Sequence, residues 1–203
     1  MPGKDSVLGD YYYREAKRRG FRSRSALKLL EICRRFRIMK RGDTVLDLGA
    51  APGGWLQVAS RLVGDEGVVI GVDISEIDPL PYKNVVLLRG DARSPELHEY
   101  ITKASGGMVD VITSDMAPRF TGIHDVDHGR QILLAGIALE LADKLLRPGG
   151  RMVIKVLMGS DFDAFRREVQ ARFSDVRIFK PSASRDSSSE VYLVCRGYRG
   201  IRR

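Results

Sequence analysis

The fold class this sequence predicts is α/β: a mostly parallel sheet wound on both faces by helices. Two observations predict it. From residue 44 onward, short apolar runs alternate with amphipathic segments, the pattern of a doubly wound sheet. A turn of small residues leaves the first run, and acids close the next ones, at the strand ends where such sheets gather their ligand groups. A length of 203 residues suits one domain, or one domain with an appendage.

Residues 11–41 read as helices rich in Arg and Lys. Ser23 or Ser25 is placed to cap a helix running to about Phe36, with Leu29, Cys33 and Phe36 on its buried stripe and Lys28 at the edge. Gly42-Asp43 breaks the helical pattern. Strands are expected at 44–48, 68–73, 85–89, 109–115, 151–156, 176–179 and 190–195, and helices at 53–63, 95–103, 130–146 and 161–173. Residues 119–129 and 181–189 read as polar loops. Pro148-Gly149-Gly150 is a strong helix stop.

Charge divides the chain unevenly. Residues 1–41 hold 13 Lys/Arg against 4 Asp/Glu, while the remaining 162 residues hold 21 against 22. The whole excess of +8 therefore sits in the first fifth, and a smaller cluster, Arg196, Arg199, Arg202 and Arg203, closes the chain. Such segregation fits a polyanion, because Lys and Arg displace counterions from phosphates. Tyr11, Tyr12, Tyr13 and Phe21 lie among these cations, as suits RNA with exposed bases. We therefore expect a basic helical extension, 1–41, packed on a core of 42–203. No apolar stretch reaches the roughly 20 residues of a membrane span. The start has no apolar signal region, and Cys33 and Cys195 are too few for a disulfide framework. The expectation is a cytoplasmic protein with reduced thiols and no membrane partner.

The segment Gly49-Ala50-Ala51-Pro52-Gly53-Gly54-Trp55 follows the first strand. It is neither the dinucleotide pattern G-x-G-x-x-G nor a phosphate loop, so a nicotinamide enzyme is disfavoured. Asp73 closes the second strand, where a carboxylate can accept both hydroxyls of a ribose. Asp91 follows the third and Asp115 the fourth. Three acids around one pocket suit a cationic nucleoside such as S-adenosylmethionine better than an anionic dinucleotide.

These residues resemble the FtsJ/RrmJ family of RNA ribose 2′-O-methyltransferases. The blocks that carry the resemblance are Gly20-Phe21-Arg22-Ser23-Arg24-Ser25 with Lys28, Asp47 through Trp55, Ser114-Asp115-Met116-Ala117-Pro118, Gly149-Gly150 to Lys155, and Lys180-Pro181 to Ser189-Glu190-Val191-Tyr192. They span about residues 11–194. Phe21 stands where Tyr is common, and Leu27 where an aromatic residue is common. The resemblance implies a seven-stranded methyltransferase sheet with its last strand antiparallel. It also implies a catalytic tetrad of Lys28, Asp115, Lys155 and Glu190, and S-adenosyl-L-methionine contacts at Gly53, Trp55, Asp73, Asp91 and Asp115. Short members of the family methylate a uridine of large-subunit rRNA, which makes rRNA, in a large ribosomal subunit or its precursor, the expected partner; no obligate protein partner is implied.

A ribose hydroxyl is a poor nucleophile, so the enzyme must supply a base, alignment and a pocket. Lys155 is the candidate base. A free lysine, at a pKa near 10.4, stays charged, and desolvation or a neighbouring cation such as Lys28 must lower it. Asp115 and Glu190 oppose that shift. Lys28 and Glu190 would orient Lys155 and the ribose, and Asp115 would orient Lys155. His124 and His128 have a spacing that invites a metal, but His98 is the only other histidine and methyl transfer needs no Lewis acid, so no metal is expected. Trp55 is a pocket wall, a core anchor or both. Arg119 and Arg130 sit where they can touch RNA backbone or only solvent. Alternatives are a tRNA ribose methyltransferase, a small-molecule O-methyltransferase, which would not need the basic first 41 residues, and a non-catalytic RNA-binding assembly factor.

Overall fold

The computed structural model describes residues 4–185 and 187–200. Arg202 and Arg203 of the terminal basic cluster lie outside the described residues. Seven strands run β1 (Thr44–Leu48), β2 (Val68–Asp73), β3 (Val85–Arg89), β4 (Val109–Ser114), β5 (Leu146–Leu157), β6 (Phe173–Phe179) and β7 (Glu190–Tyr198). They form one sheet in the order β3-β2-β1-β4-β5-β7-β6. Only β7 runs against its neighbours; the pairs joining β3, β2, β1, β4 and β5 are parallel. The strand order reverses between β1 and β4, and ligand crevices in such sheets open at that point, outside the carboxyl ends.

Among the described residues six helices flank the sheet: α1 (Lys4–Arg18), α2 (Ser25–Phe36), α3 (Gly54–Val63), α4 (Pro95–Ser105), α5 (His124–Leu145) and α6 (Phe162–Arg172). Successive strand side chains point to opposite faces, and the two resulting cores are distinct. Met152, Ile154 and Ile112 pack with α4, α5 and α6. Val45, Val69, Val111, Val153, Tyr192 and Val194 pack with α2 and α3. By the same alternation Asp47, Asp73, Asp115, Lys155 and Glu190 all belong to the α2/α3 side. Helix α2 buries Ala26, Leu29, Ile32 and Cys33 there. At roughly 1.5–3 kcal/mol for each large side chain, that face fixes α2, and Lys28 with it, firmly on the sheet.

The elements differ from expectation at several edges. Neither serine caps α2: Arg24 holds the cap position without a side-chain bond, and Ser23 Oγ instead meets Ser25 Oγ at 2.8 Å. The helix ends at Arg37, in the left-handed region, before Gly42 is reached. Its buried stripe includes Ile32, while Phe36 is half-buried. Helix α5 starts at His124, six residues earlier than expected, so most of 124–129 is helix rather than loop. Its polar first turn accepts bonds from the preceding loop: Asp127 takes Thr121 N (2.8 Å), Thr121 Oγ1 (2.8 Å) and Gly122 N (3.0 Å). β5 begins at Leu146, upstream of the Pro-Gly-Gly turn, with a register shift opposite β4. β6 and β7 each run three residues longer than the sequence pattern indicates.

Candidate active site

Strand register brings the tetrad together. Ser114 of β4 pairs with Ile154 of β5, so Asp115 emerges beside Lys155. Lys155 in turn lies opposite Tyr192 of β7, and Glu190 is two residues away on the same face. Lys155 Nζ donates to the Asp115 carbonyl at 2.6 Å and forms an ion pair with Asp115 Oδ1 at 3.0 Å. The Tyr192 hydroxyl donates to the same Asp115 Oδ1 at 2.9 Å. From α2, Lys28 Nζ reaches Glu190 Oε1 at 2.5 Å, and Ser184 Oγ donates to that oxygen at 3.0 Å. All four charged side chains are largely buried.

Burial alone would push the Glu190 carboxyl up. Lys28 and Lys155 outweigh it and hold the group below the usual carboxylate range, so Glu190 is ionised and feels both amines. Tyr192 is fully buried and faces the charges of Asp115 and Glu190. Its phenol is raised well above its ordinary range, by burial first and by those charges next. It remains a proton donor at any physiological pH.

The small-residue turn is braced by the 20–25 block. Arg22 donates to the carbonyls of Pro52 (3.1 Å), Asp78 (2.6 Å) and Pro79 (2.6 Å). Gln57 of α3 accepts from Arg22 N and donates to the Gly20 carbonyl, both at 2.8 Å. A Cβ on Gly54 would sit 2.2 Å from Ser23 Oγ, and one on Gly49 would sit 2.8 Å from the Met116 backbone. At Gly49 the close backbone demands glycine and presses the loops after β1 and β4 together at the switch point, whereas at Gly54 it is the Ser23 side chain that crowds the position. Gly53 heads α3 at φ 104°. Asp73 holds the turn from below, accepting Ala51 N at 2.9 Å and Ser75 N at 2.8 Å.

Sequence comparison decides the family. The FtsJ-like methyltransferase pattern matches residues 21–198. The chain belongs to the FtsJ-like methyltransferase family. Among its relatives, a protein of Halorubrum lacusprofundi named ribosomal RNA large subunit methyltransferase E is 50% identical over 97% of this chain and 72% of its own length. The protein of the same name from Methanothrix thermoacetophila is 49% identical over 91% of this chain and 71% of its own length. A Plasmodium falciparum crystal structure, described as a ribosomal RNA methyltransferase, superposes with a TM-score of 0.80 at 27% identity, covering 89% of this chain and all of that one. Aeropyrum pernix fibrillarin shares the fold, with a TM-score of 0.55 at 22% identity over 85% of this chain and 74% of that one.

As a member of the FtsJ-like family the protein is an enzyme, and its cofactor is S-adenosyl-L-methionine. Its own residues fit that cation. Asp47, Asp73 and Asp115 stand on one face at three neighbouring strand ends, with no phosphate-binding loop beside them. Asp47 is fully buried; Thr113 Oγ1 donates to its Oδ1 at 2.6 Å, while its Oδ2 has no hydrogen-bond partner. Burial, with the charges of Asp115 and Asp73 adding, pushes the Asp47 carboxyl up to about 8. Asp47 is therefore held largely neutral, and Asp73 and Asp115 are the carboxylates on this face that suit a sulfonium better than a pyrophosphate.

The remaining expected contacts are placed as follows. Trp55 is 2% exposed; its indole N–H donates to the Ser25 carbonyl at 2.9 Å and its ring lies 5.8 Å from that of Tyr192, so it is a core anchor between α2 and β7. Asp91 is gripped by Arg93, whose hydrogen bonds lower it to about 2. His128 is buried with both ring nitrogens engaged: Nδ1 on the Leu157 carbonyl (3.1 Å) and Nε2 accepting Asp161 N (3.0 Å). Sequence reasoning passed over three residues. Asp47 had a signal, an acid inside an apolar strand; Tyr192 shares a face with Glu190, but its place opposite Lys155 had none. Gln131 had none: its Nε2 donates to the carbonyls of Met116 (3.2 Å) and Lys155 (3.0 Å), tying together the two strand ends that carry the charge pair.

Proposed function

We propose that this protein methylates a ribose 2′-hydroxyl, that of a uridine in large-subunit ribosomal RNA, with Lys155 as general base. The observation that carries the reading is the Lys155 amine held by two oxygens of Asp115 at the carboxyl end of β5. The Asp115 carbonyl takes one N–H of this amine and the Asp115 carboxylate lies 3.0 Å away. In its neutral form the amine has a lone pair, which takes the hydroxyl proton. When bound, S-adenosyl-L-methionine supplies a methyl group activated by its sulfonium charge. Asp73 would hold the cofactor's ribose, and Gly53, Trp55, Asp91 and Asp115 the rest of its pocket.

Asp115 orients Lys155, and Tyr192 fixes the Asp115 carboxylate that does so. Glu190, ionised and anchored by Lys28, accepts from the substrate ribose and stabilises the charge Lys155 gains. General-base catalysis of this kind contributes about 10²–10⁴ in rate. The basic segment 1–41 holds the RNA. The relatives named for large-subunit rRNA support that substrate, and the cytoplasm is where it would be met. Among the described residues no helix is long and apolar enough to cross a membrane.

The test is to incubate the protein with tritiated methyl donor and separated rRNA, tRNA and ribosomal subunits, then map ribose methylation. Label on a uridine 2′-oxygen of large-subunit RNA is expected. Label confined to tRNA would move the substrate. Cofactor binding with no label in any fraction would make the protein a non-catalytic RNA-binding factor.

A further inference from the structure

A concave surface lies between α1, α2 and the loop before β7. Its volume is about 450 Å³, within the range of small-ligand sites. Leu27 and Leu30 of α2 form an apolar floor, Tyr11 and Tyr12 an aromatic wall, and Arg34 and Arg35 a cationic rim. The two tyrosine rings meet edge to face at 5.3 Å, and Tyr11 is 56% exposed. Two acids also line the space, and both are engaged. Glu15 takes Arg18 at 2.8 Å and Arg19 at 2.5 Å, and Glu31 Oε2 takes Ser182 N at 2.9 Å and Ser182 Oγ at 2.7 Å. Arg34 meets no carboxylate among the described residues. Glu31 keeps its charge, since Ser182 is neutral, but Arg19, Arg34 and Arg35 outnumber Glu15 and Glu31 in the lining, so the groove is net positive.

Its position ties it to the chemistry. Leu27 and Glu31 flank Lys28 on α2, within about one helical turn, ~5 Å along the axis. On the other side Ser182 and Ala183 lead directly into Ser184, which bonds Glu190. Groove and tetrad thus share two walls. An aromatic wall with cations at its rim is the chemistry that holds unpaired nucleotides, by stacking on the base and pairing with the phosphate. We propose that this groove binds an unpaired nucleotide next to the target ribose in the same strand, its base against Tyr11 and Tyr12 and its phosphate on Arg34 and Arg35. This rests on RNA being the substrate.

The test uses the full chain, a single-stranded RNA substrate spanning the methylated position, and two double variants. Tyr11→Ala/Tyr12→Ala should raise KM for RNA about 10- to 100-fold, the range for one lost stacking contact, with the loss on KM rather than kcat and cofactor affinity unchanged. Tyr11→Phe/Tyr12→Phe should restore KM, since a phenyl ring stacks as well. Arg34→Gln should weaken RNA of any sequence and lower the salt slope by about one. A thiouridine placed beside the target should crosslink to the tyrosines. Unchanged RNA KM in a folded Ala variant overturns the proposal, as does an equal loss in the Phe variant. If wild-type protein methylates no RNA at all, the substrate reading itself fails, a result distinct from an active enzyme indifferent to its groove.

Discussion

Two positions on β5 carry the same kind of ion pair in different settings. Arg151 and Lys155 lie four residues apart on one face and are 6% and 7% exposed. Each pairs with an acid. Arg151 donates to Asp43 Oδ1 at 2.9 Å and to the Ile38 carbonyl at 2.8 Å, and Asp43 Oδ2 is filled by Lys40 N at 2.6 Å. That pair closes on itself and pins the turn after α2 to the amino end of the sheet. The Lys155–Asp115 pair stays open: Tyr192 joins it, and the field of Glu190 with Lys28 reaches it. A buried ion pair says little by itself, since it adds little stability over an apolar equivalent. What marks a working pair is its coupling to a second pair at the carboxyl end of the strands.

The comparison breaks most sharply at its two cations. Lys155→Ala should cut methyl transfer about 10²–10⁴-fold while cofactor affinity, followed by calorimetry, stays within a few-fold. Near-normal methylation would remove Lys155 as base. Arg151→Met should do the reverse: a loss of about 3–5 kcal/mol in denaturant stability, because Asp43 is left buried without its cation, with ordinary activity in the folded fraction. Should the two variants give the same profile, the distinction between the two positions on β5 is wrong.

Next in size is a pH effect from the acid beside the open pair. Asp47 titrates near 8 in the fold and near 4 in the unfolded chain. Between those values the native state keeps a proton the unfolded state has released. Stability therefore falls as pH rises through that window, by on the order of a few kcal/mol at most, and is level above it. Asp47→Asn can keep the Thr113 bond and should flatten the slope in denaturant titrations from pH 4 to 8. A slope unchanged by the substitution would mean Asp47 is not its source. The smallest effect is expected from Tyr192→Phe. It deletes one hydrogen bond to Asp115 worth about 1–3 kcal/mol, a roughly tenfold loss in kcat that spares the cofactor Kd. Equal losses in both would make Tyr192 a packing residue only.

Much of this was legible because it is local. The acids at strand ends, the small-residue turn and the charged first fifth follow from periodicity and composition, and the tetrad was named residue by residue from motif resemblance. Errors arose where a side chain's partner decides the outcome. The polar start of α5 read as loop because Asp127 and His128 look solvated in one dimension; in the fold they are inward-facing anchors for neighbouring loops. Ser23 and Ser25 looked like caps until they met each other. Tyr192 was missed because its worth depends on lying opposite Lys155, and strand pairing between β5 and β7 is not written in either segment.

The sequence determined by itself the alternation of strands and helices from residue 44 onward, though not every edge of it, and which acids stand at strand ends. Backbone periodicity and side-chain chemistry are properties of short stretches. The tertiary structure alone decided that Lys28 meets Glu190 across 162 residues, that Asp115 serves Lys155 and Tyr192 at once, and that Asp47 is driven toward neutrality. Those outcomes depend on register, distance and burial, which exist only once the sheet has closed.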